Sequence, residues 1–405
     1  MPVSIMQALD IIDQNTSVVN SELLPIEMAL GRIMSEDSIA TFNLPRFDNS
    51  AMDGYAVKCA DANSTVTCTE VIYAGDDPQM TLQAGQAIKI MTGAPIPKGC
   101  EAIIPIEDVT VNGTQVTLPS EIKKDGHIRH AGEDIKSGTV YLHKGEKVTA
   151  YAIALLASQG VTHLRVRRRI KVAVFGTGDE LRPHFEKISP HQLYNSNTPM
   201  FLARSQALGC EVQYIGSSSD TIDSLEEAIR SASDADIIIT SGGISMGDRD
   251  FTKEAFGNLG MELHFDKVDI KPGKPTAFGT IGKTVIINLP GNPLASMVNY
   301  EIFVRAVIRK MSGMKACHHA TVQTRIKEDF TLRPGKHTVR LGSFDGEAFL
   351  PFSKQLPGML SPLEQANALL VTTPDIAKLE KGKTVKILPI DWEFTSEVKE
   401  DFFTR

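Results

Sequence analysis

The run Thr240-Ser241-Gly242-Gly243-Ile244-Ser245-Met246-Gly247-Asp248-Arg249-Asp250 joins two kinds of chemistry. It follows the apolar Ile237-Ile238-Ile239, which reads as a buried strand. It precedes a helical pattern that begins near Phe251. Glycines between a strand and a helix leave backbone N–H groups bare at a helix N-terminus, where anions bind. Asp248 and Asp250 end the run, and carboxylates beside an anion cradle suit a phosphate held together with a divalent metal. A tight turn that needs only glycine's freedom would show the same letters. The run therefore gains its meaning from its neighbours.

Two further loops of this character follow strands. In Gly176-Thr177-Gly178-Asp179-Glu180 the glycines allow close approach, and the two carboxylates could hold a metal or place a water. In Leu289-Pro290-Gly291-Asn292-Pro293, Pro293 suits a first helical turn and Asn292 an N-cap, although a rigid turn alone would use the same residues. Asp220, just before a helix near Ile222, is either a further acid or an N-cap. Lys271-Pro272-Gly273-Lys274-Pro275 sets two lysines around a Pro-Gly turn. Prolines fix the backbone, so the ammonium groups lose less entropy on gripping an oxyanion; solvated surface lysines are the alternative. Carboxylates, glycine cradles and a lysine pair together point to phosphoryl chemistry with a divalent metal. Upstream, Phe47-Asp48-Asn49-Ser50-Ala51-Met52-Asp53-Gly54-Tyr55-Ala56 and Met91-Thr92-Gly93-Ala94-Pro95-Ile96-Pro97 read as turns beside strands.

These loops need a scaffold. Strands over Lys171–Phe175, Glu211–Ile215, Asp236–Thr240 and Thr284–Leu289 alternate with helices over Pro199–Leu208, Ile222–Ala232, Phe251–Leu259 and Pro293–Met311. That rhythm predicts an α/β domain with a mostly parallel sheet, which binds ligands outside the carboxyl ends of its strands. Residues 4–14 read as an amphipathic helix with Ile5, Leu9 and Ile12 on one face, and Glu22–Ser35 as a short strand and a helix. From about 45 to 140, short β-branched runs between turn signals predict a β-rich domain. Helical character returns at Thr149–Gln159. The last part, about 314–405, reads as a small sheet or barrel, with strands at Val322–Ile326, Val339–Gly342, Ala348–Pro351, Leu369–Thr372 and Thr384–Leu388.

A chain of 405 residues predicts roughly two to four domains. A net charge of -7 argues against a general nucleic-acid binder. The basic cluster Arg165-Val166-Arg167-Arg168-Arg169 stands before a strand and reads as a solvated domain junction. The five cysteines are scattered and form no C-x-x-C pair, which fits a reducing compartment without a disulfide framework. No secretory leader and no membrane span are visible, so a cytoplasmic chain is expected.

Asp48-Asn49-Ser50-Ala51-Met52-Asp53-Gly54-Tyr55-Ala56, Met91-Thr92-Gly93-Ala94-Pro95, Gly176-Thr177-Gly178-Asp179-Glu180-Leu181, Thr240-Ser241-Gly242-Gly243, Lys271-Pro272-Gly273-Lys274-Pro275 and Leu289-Pro290-Gly291-Asn292-Pro293 occur in one order across essentially the whole chain. In them the chain resembles the molybdopterin molybdenumtransferase, or molybdenum insertase, family and is similar to the C-terminal domain of gephyrin. The resemblance implies an elongated homodimer with four domains per chain. Residues 1–45 and 140–169 would form a discontinuous N-terminal domain, 46–139 an inserted β-rich domain, 170–312 the molybdopterin-binding-type α/β domain, and 313–405 a β-barrel-like domain. The active cleft would lie between the α/β domain of one subunit and parts of the other.

The reaction it implies starts from adenylylated molybdopterin. Molybdate enters, the phosphoanhydride is hydrolysed with help from Mg²⁺, AMP leaves and the dithiolene holds molybdenum. Matched by motif, Asp53, Thr92, Glu180, Asp220, Asp250, Lys271 and Lys274 would be catalytic, with Glu180, Asp220 and Asp250 on the metal. Gly176, Gly178, Ser241, Gly242, Gly243, Pro290, Gly291, Pro293, Ser296, Arg340 and Ser361 would hold substrate. The pterin adenylyltransferase and molybdoenzyme-delivery proteins are the implied partners, with no nucleic acid and no membrane. In the last domain the family often shows Gly-Arg-x-x-Phe-x-Arg, whereas Gly335-Lys336-His337-Thr338-Val339-Arg340 stands here. Lysine lacks arginine's bidentate fork. Two other classes share some of these features. A pterin adenylyltransferase is typically one α/β domain without the Ser50–Ala56 and Thr92–Pro95 motifs. A scaffold would not need the acids and the lysine pair.

Overall fold

Ser4 starts the first helix. Its hydroxyl accepts from the Gln7 N–H at 3.1 Å, and the Gln7 side chain accepts from the Ser4 N–H at 2.8 Å. This reciprocal cap satisfies two donors that a helix start leaves open. The computed structural model describes residues 1–218, 221–242 and 251–392. Helix α1 (Ile5–Asn15) buries Ala8 and Ile12, and Ile5 and Leu9 pack beside them as their spacing predicts.

The strand Ser21–Pro25 pairs antiparallel with His163–Arg167. The helix expected within Glu22–Ser35 does not form: one 3-10 turn spans Ile26–Met28. The backbone N–H groups of Gly31 and Met34 go instead to the carbonyls of Val148 and Glu146, so pairing with a distant segment overrides local helix propensity. Helix α2 (Ala150–Ser158) is capped by Thr149, whose hydroxyl accepts from the Ala152 N–H. It packs with Met34, Val148 and Val166 into one small core. Between these returning segments lies a separate six-stranded sheet. Its strands are Ala102–Pro105, Gly54–Val57, Gln86–Ile90, Thr65–Ile72, Gln115–Thr117 and Thr110–Asn112, in that order.

The central sheet holds Lys171–Thr177 (β1), Glu211–Ser218 (β2), Ile237–Ser241 (β3), Glu262–Phe265 (β4), Ala277–Ile281 (β5) and Thr284–Leu289 (β6). Its order is β2-β1-β3-β6-β5-β4. The first four run parallel, and β5 and β4 extend the sheet antiparallel. β4 and β5 escaped the sequence pattern because they are short and flank the Pro-Gly turn. β1, β3 and β6 are buried along most of their length, which explains their unbroken apolar runs. Helix α3 (Asn197–Ala207) starts two residues earlier than its apolar period suggests. Helix α4 (Ile222–Ser231) is capped by Thr221, whose side chain accepts from the Ser224 N–H. Helix α5 spans Phe251–Asn258. The single helix expected over Pro293–Met311 is α6 (Pro293–Asn299), a π turn (Tyr300–Val304) and α7 (Arg305–Met311). The π turn carries Glu301, nearly fully buried between Arg204 at 2.6 Å and Arg305 at 3.2 Å.

The C-terminal strands Val322–Ile326, Ala348–Pro351, Thr338–Phe344, Ala368–Thr372 and Thr384–Pro389 close into a five-stranded barrel. Phe349, Leu370 and Ile387 fill it. The chain is thus α/β and β multidomain: a mostly parallel central sheet, an inserted β-rich sheet and a C-terminal barrel. No described helix is long and apolar enough to cross a membrane.

Candidate functional site

The chain leaves β1 for β2 on one side and then crosses to β3 on the other. Such a switch point opens a crevice outside the strand ends, because the two connections diverge. A cleft of about 860 Å³ lies there. Its walls include Thr177 at the end of β1 with Gly178 and Glu180 beyond it, Ser241 at the end of β3 with Gly242 beyond it, and Pro290, Gly291 and Pro293 after β6. All three loops singled out in the sequence therefore meet in one place.

Asn197, at the start of α3, ties them together. Its side-chain amide donates to Ser241 Oγ at 2.7 Å and to the Gly291 carbonyl at 2.7 Å. Ser241 Oγ lies 3.3 Å from the Pro290 carbonyl, and the Gly242 N–H donates to the Leu289 carbonyl at 3.2 Å. At Gly242 φ is +98°, and a Cβ there would stand 2.5 Å from the Thr177 carbonyl oxygen. Only glycine lets the β3 loop pass that close to the β1 loop. At Gly178 a Cβ would stand 2.8 Å from Glu180 Oε2, so the carboxylate folds back over bare backbone. Thr177 Oγ1 and Asn197 Oδ1 are buried at the cleft with no hydrogen-bond partner among the described residues. Both are buried oxygen atoms beside the cleft whose hydrogen-bonding capacity is unused among the described residues.

Other candidates sit elsewhere. Gly176 lies under the cleft, where a Cβ would meet the Asn195 amide at 2.4 Å. Ser296 is fully buried behind the wall, and its hydroxyl donates to the Pro290 carbonyl, so it shapes the loop from within. Asn292 occupies the N-cap position of α6 without a side-chain capping bond. Asp220, Gly243, Asp248, Arg249 and Asp250 lie outside the described residues. Ser361 begins the helix Ser361–Gln365, next to Gly358 and Leu360 of the cleft wall. Arg340 lies on a barrel strand with its guanidinium 5.4 Å from the Phe330 ring centre, and burial lowers its pKa. Sequence reasoning missed Leu193, Tyr194, Asn195, Ser196 and Asn197, which form a whole wall. The polar run Asn195-Ser196-Asn197-Thr198 before α3 was the available signal, hidden by a helix start placed at Pro199.

Family models match three stretches: "MoeA N-terminal region (domain I and II)" over residues 3–160, "Probable molybdopterin binding domain" over 173–310, and "MoeA C-terminal region (domain IV)" over 323–390. A molybdopterin molybdenumtransferase of Staphylococcus epidermidis is 30% identical over 400 residues, covering 96% of this chain and 95% of the relative. The chain belongs to the molybdopterin molybdenumtransferase family. Molybdopterin molybdenumtransferase 2 of Mycobacterium tuberculosis is 34% identical over 92% of this chain and 95% of its own. The Haemophilus influenzae molybdopterin molybdenumtransferase is 40% identical over 73% of this chain and 74% of its own. A molybdopterin biosynthesis MoeA protein of Pyrococcus horikoshii superposes with TM-score 0.85 at 26% identity, covering 96% of this chain and all of its own. The molybdopterin molybdenumtransferase family places the chain in molybdenum-cofactor biosynthesis.

Two sets of this family member's candidate residues lie off the cleft wall. Asp53 and Thr92 are exposed on the inserted β-rich sheet. Asp53 Oδ1 accepts from the Thr92 N–H at 2.7 Å and its hydroxyl at 2.8 Å. The backbone bond first, then the hydroxyl, holds the Asp53 carboxyl below its ordinary pKa. Lys271 and Lys274 are exposed, and neither makes an ion pair among the described residues. Between them, the Gly273 carbonyl accepts from Asn299 and Thr276, both at 2.9 Å. Pro275, next to Lys274, lines the cleft.

Proposed function

We propose that this chain inserts molybdate into adenylylated molybdopterin with release of AMP, as a Mg²⁺-dependent molybdenum insertase. One observation carries the reading: three glycine or proline loops and Glu180 meet in a preformed cleft at the sheet's switch point. The loop backbone would cradle the phosphates and the pterin. Water attacks the adenylyl phosphorus, the bond to the bridging oxygen breaks, and the pterin phosphate and AMP separate with the water's protons lost to solvent. Glu180 orients that water, and Lys271 and Lys274 draw in the molybdate dianion. Arg340 and Ser361 extend the molybdate pocket from the barrel.

The donor set suits Mg²⁺. The Glu180 carboxylate and the unpartnered oxygens of Thr177 and Asn197 beside it are hard donors, and Mg²⁺ commonly uses one or two carboxylates plus substrate phosphates. Glu180, with Asp220 and Asp250, would hold it. Bound there, it would neutralise charge on the phosphoryl oxygens.

Asp53 and Thr92 do not line the cleft of their own chain, so the reading assigns them to the cleft of a second subunit in a homodimer. The four-domain division at about 45, 140, 170 and 313, a cytoplasmic location, and exchange with a pterin adenylyltransferase and molybdoenzyme-delivery proteins belong to the same proposal. The test is incubation with adenylylated molybdopterin, Mg²⁺ and molybdate while AMP is followed. Molybdate-dependent AMP release is expected. ATP consumption with metal-free molybdopterin, without that release, would replace this reading with an adenylyltransferase.

A further inference from the structure

A second cavity, of about 400 Å³, lies at the opposite end of α3 from the cleft, where the N-terminal segments meet α3 and α7. Its lining carries seven cationic side chains and, among the described residues, no carboxylate. Four of the cations have local partners. Arg32 pairs with Glu22, Arg168 with Asp236 at 2.6 Å, and Arg305 with Glu301 at 3.2 Å. Arg167 donates from Nη1 to the Val19 carbonyl at 3.1 Å, yet its Nε is buried with no partner.

The other three are uncommitted. Lys147 and Arg169 are exposed at the rim and make no ion pair among the described residues. Arg309 is half-buried, and its contact is a single 3.4 Å hydrogen bond to the His318 carbonyl. Burial first, and then the repulsion of Arg305, lowers the Arg309 pKa, and the Glu301 charge offsets only part of this. Holding cations together costs free energy unless something neutralises them. The sequence reading of Arg165–Arg169 as a solvated junction suits the exposed Arg165 and Arg169 but not Arg167, whose Nε is buried.

We propose that this cavity binds a small anion of the phosphate class carrying two or more negative charges, gripped by Lys147, Arg169 and Arg309. The volume lies within the range of small-ligand sites. Guanidinium forks match phosphoryl oxygens in bidentate fashion, which favours a phosphoryl group over a lone carboxylate.

Pyrophosphate is the probe. Isothermal titration calorimetry of the full chain, in low salt without Mg²⁺, should show one saturable site that weakens as ionic strength rises. Lys147→Gln and Arg169→Gln alter exposed positions and should each weaken binding about tenfold. Arg309→Gln should weaken it more, with its thermal melting measured beside it. Glu180→Gln and Lys274→Ala, at the cleft, should leave this site unchanged. Pyrophosphate binding that is absent, or that is lost only in the cleft variants, overturns the proposal. So does a change in sedimenting mass of Arg169→Gln without any anion binding, since the cations would then serve contact with another protein.

Discussion

Asn197 and Ser241 meet across the switch point, where one amide nitrogen serves both the Ser241 hydroxyl and the Gly291 carbonyl at 2.7 Å. Two loops that leave neighbouring strands are thereby held in a single register. Asn197→Ala removes both bonds and leaves a carbonyl facing an empty space. The expected cost is about 1–3 kcal/mol of stability. AMP release should fall by an order of magnitude or more, because the cradle loosens. Thermal melting and AMP release, measured on one preparation, check both parts.

Gly242→Ala tests the close passage of the loops. The new methyl would stand 2.5 Å from the Thr177 carbonyl oxygen, in a backbone conformation that costs a side chain roughly 1–2 kcal/mol. The variant should melt lower and lose activity. Gly178→Ala should act differently, displacing the Glu180 carboxylate and lowering kcat with a smaller change in melting. Equal melting of both variants with the parent, at full activity, would show that neither loop needs its glycine.

Asp53 offers a pH test. Its pKa is depressed in the folded state, chiefly by the Thr92 backbone bond. Its contribution to stability is therefore present above the unfolded pKa and lost as pH falls through the folded one. Thr92→Val removes the hydroxyl bond and keeps the backbone one, so the Asp53 pKa should rise partway toward the ordinary aspartate value. NMR titration of the Asp53 carboxyl carbon reads this directly. Asp53→Asn should fold normally and slow AMP release.

The lysine pair predicts a molybdate phenotype. A charge-assisted bond to an anion contributes about 1.5–3 kcal/mol where water is partly excluded. Lys271→Ala or Lys274→Ala should then raise the molybdate requirement roughly one to two orders of magnitude. Excess molybdate should rescue part of the loss, and high salt should shrink the difference. An unchanged molybdate dependence in the double variant would remove both lysines from the site.

Asp53 and Thr92 are absent from the cleft wall of their own chain, so assembly matters. Analytical ultracentrifugation at micromolar concentration should give the mass of a dimer. Mixing the slowed Asp53→Asn and Glu180→Gln variants should restore part of the activity through hybrid dimers. A monomer, or no complementation, would count against a shared cleft.

The loops were legible in the sequence because glycine, proline and acid clusters at strand ends have few structural substitutes. Gly178, Ser241, Gly242, Pro290, Gly291 and Glu180 share one cleft as their placement after strands suggests. The Asn195–Asn197 wall was not legible, since asparagines before a helix resemble ordinary turn residues. Glu22–Ser35 misled because Ile26, Leu30 and Ile33 have helical spacing, while the hydrogen bonds that decide the outcome go to residues 146 and 148. β4 and β5 were lost for a similar reason: an antiparallel edge of four or five residues is fixed by the strand beside it. The cations gathered at the second cavity are Arg32, Lys147, Arg167, Arg168, Arg169, Arg305 and Arg309, too scattered along the chain for any local pattern.

The turn that carries the two lysines is also stitched to the barrel. The Lys271 N–H donates to the His337 carbonyl and the Val339 N–H to the Lys271 carbonyl, both at 2.8 Å, while Leu294 of α6 donates to the Pro357 carbonyl at 3.0 Å. A tilt of the barrel against the central sheet would therefore drag the ammonium groups and the Gly358–Leu360 wall together, like a handle fixed to a door. Charge and shape at the mouth of the cleft share one lever, and its pivot is the backbone of Lys271.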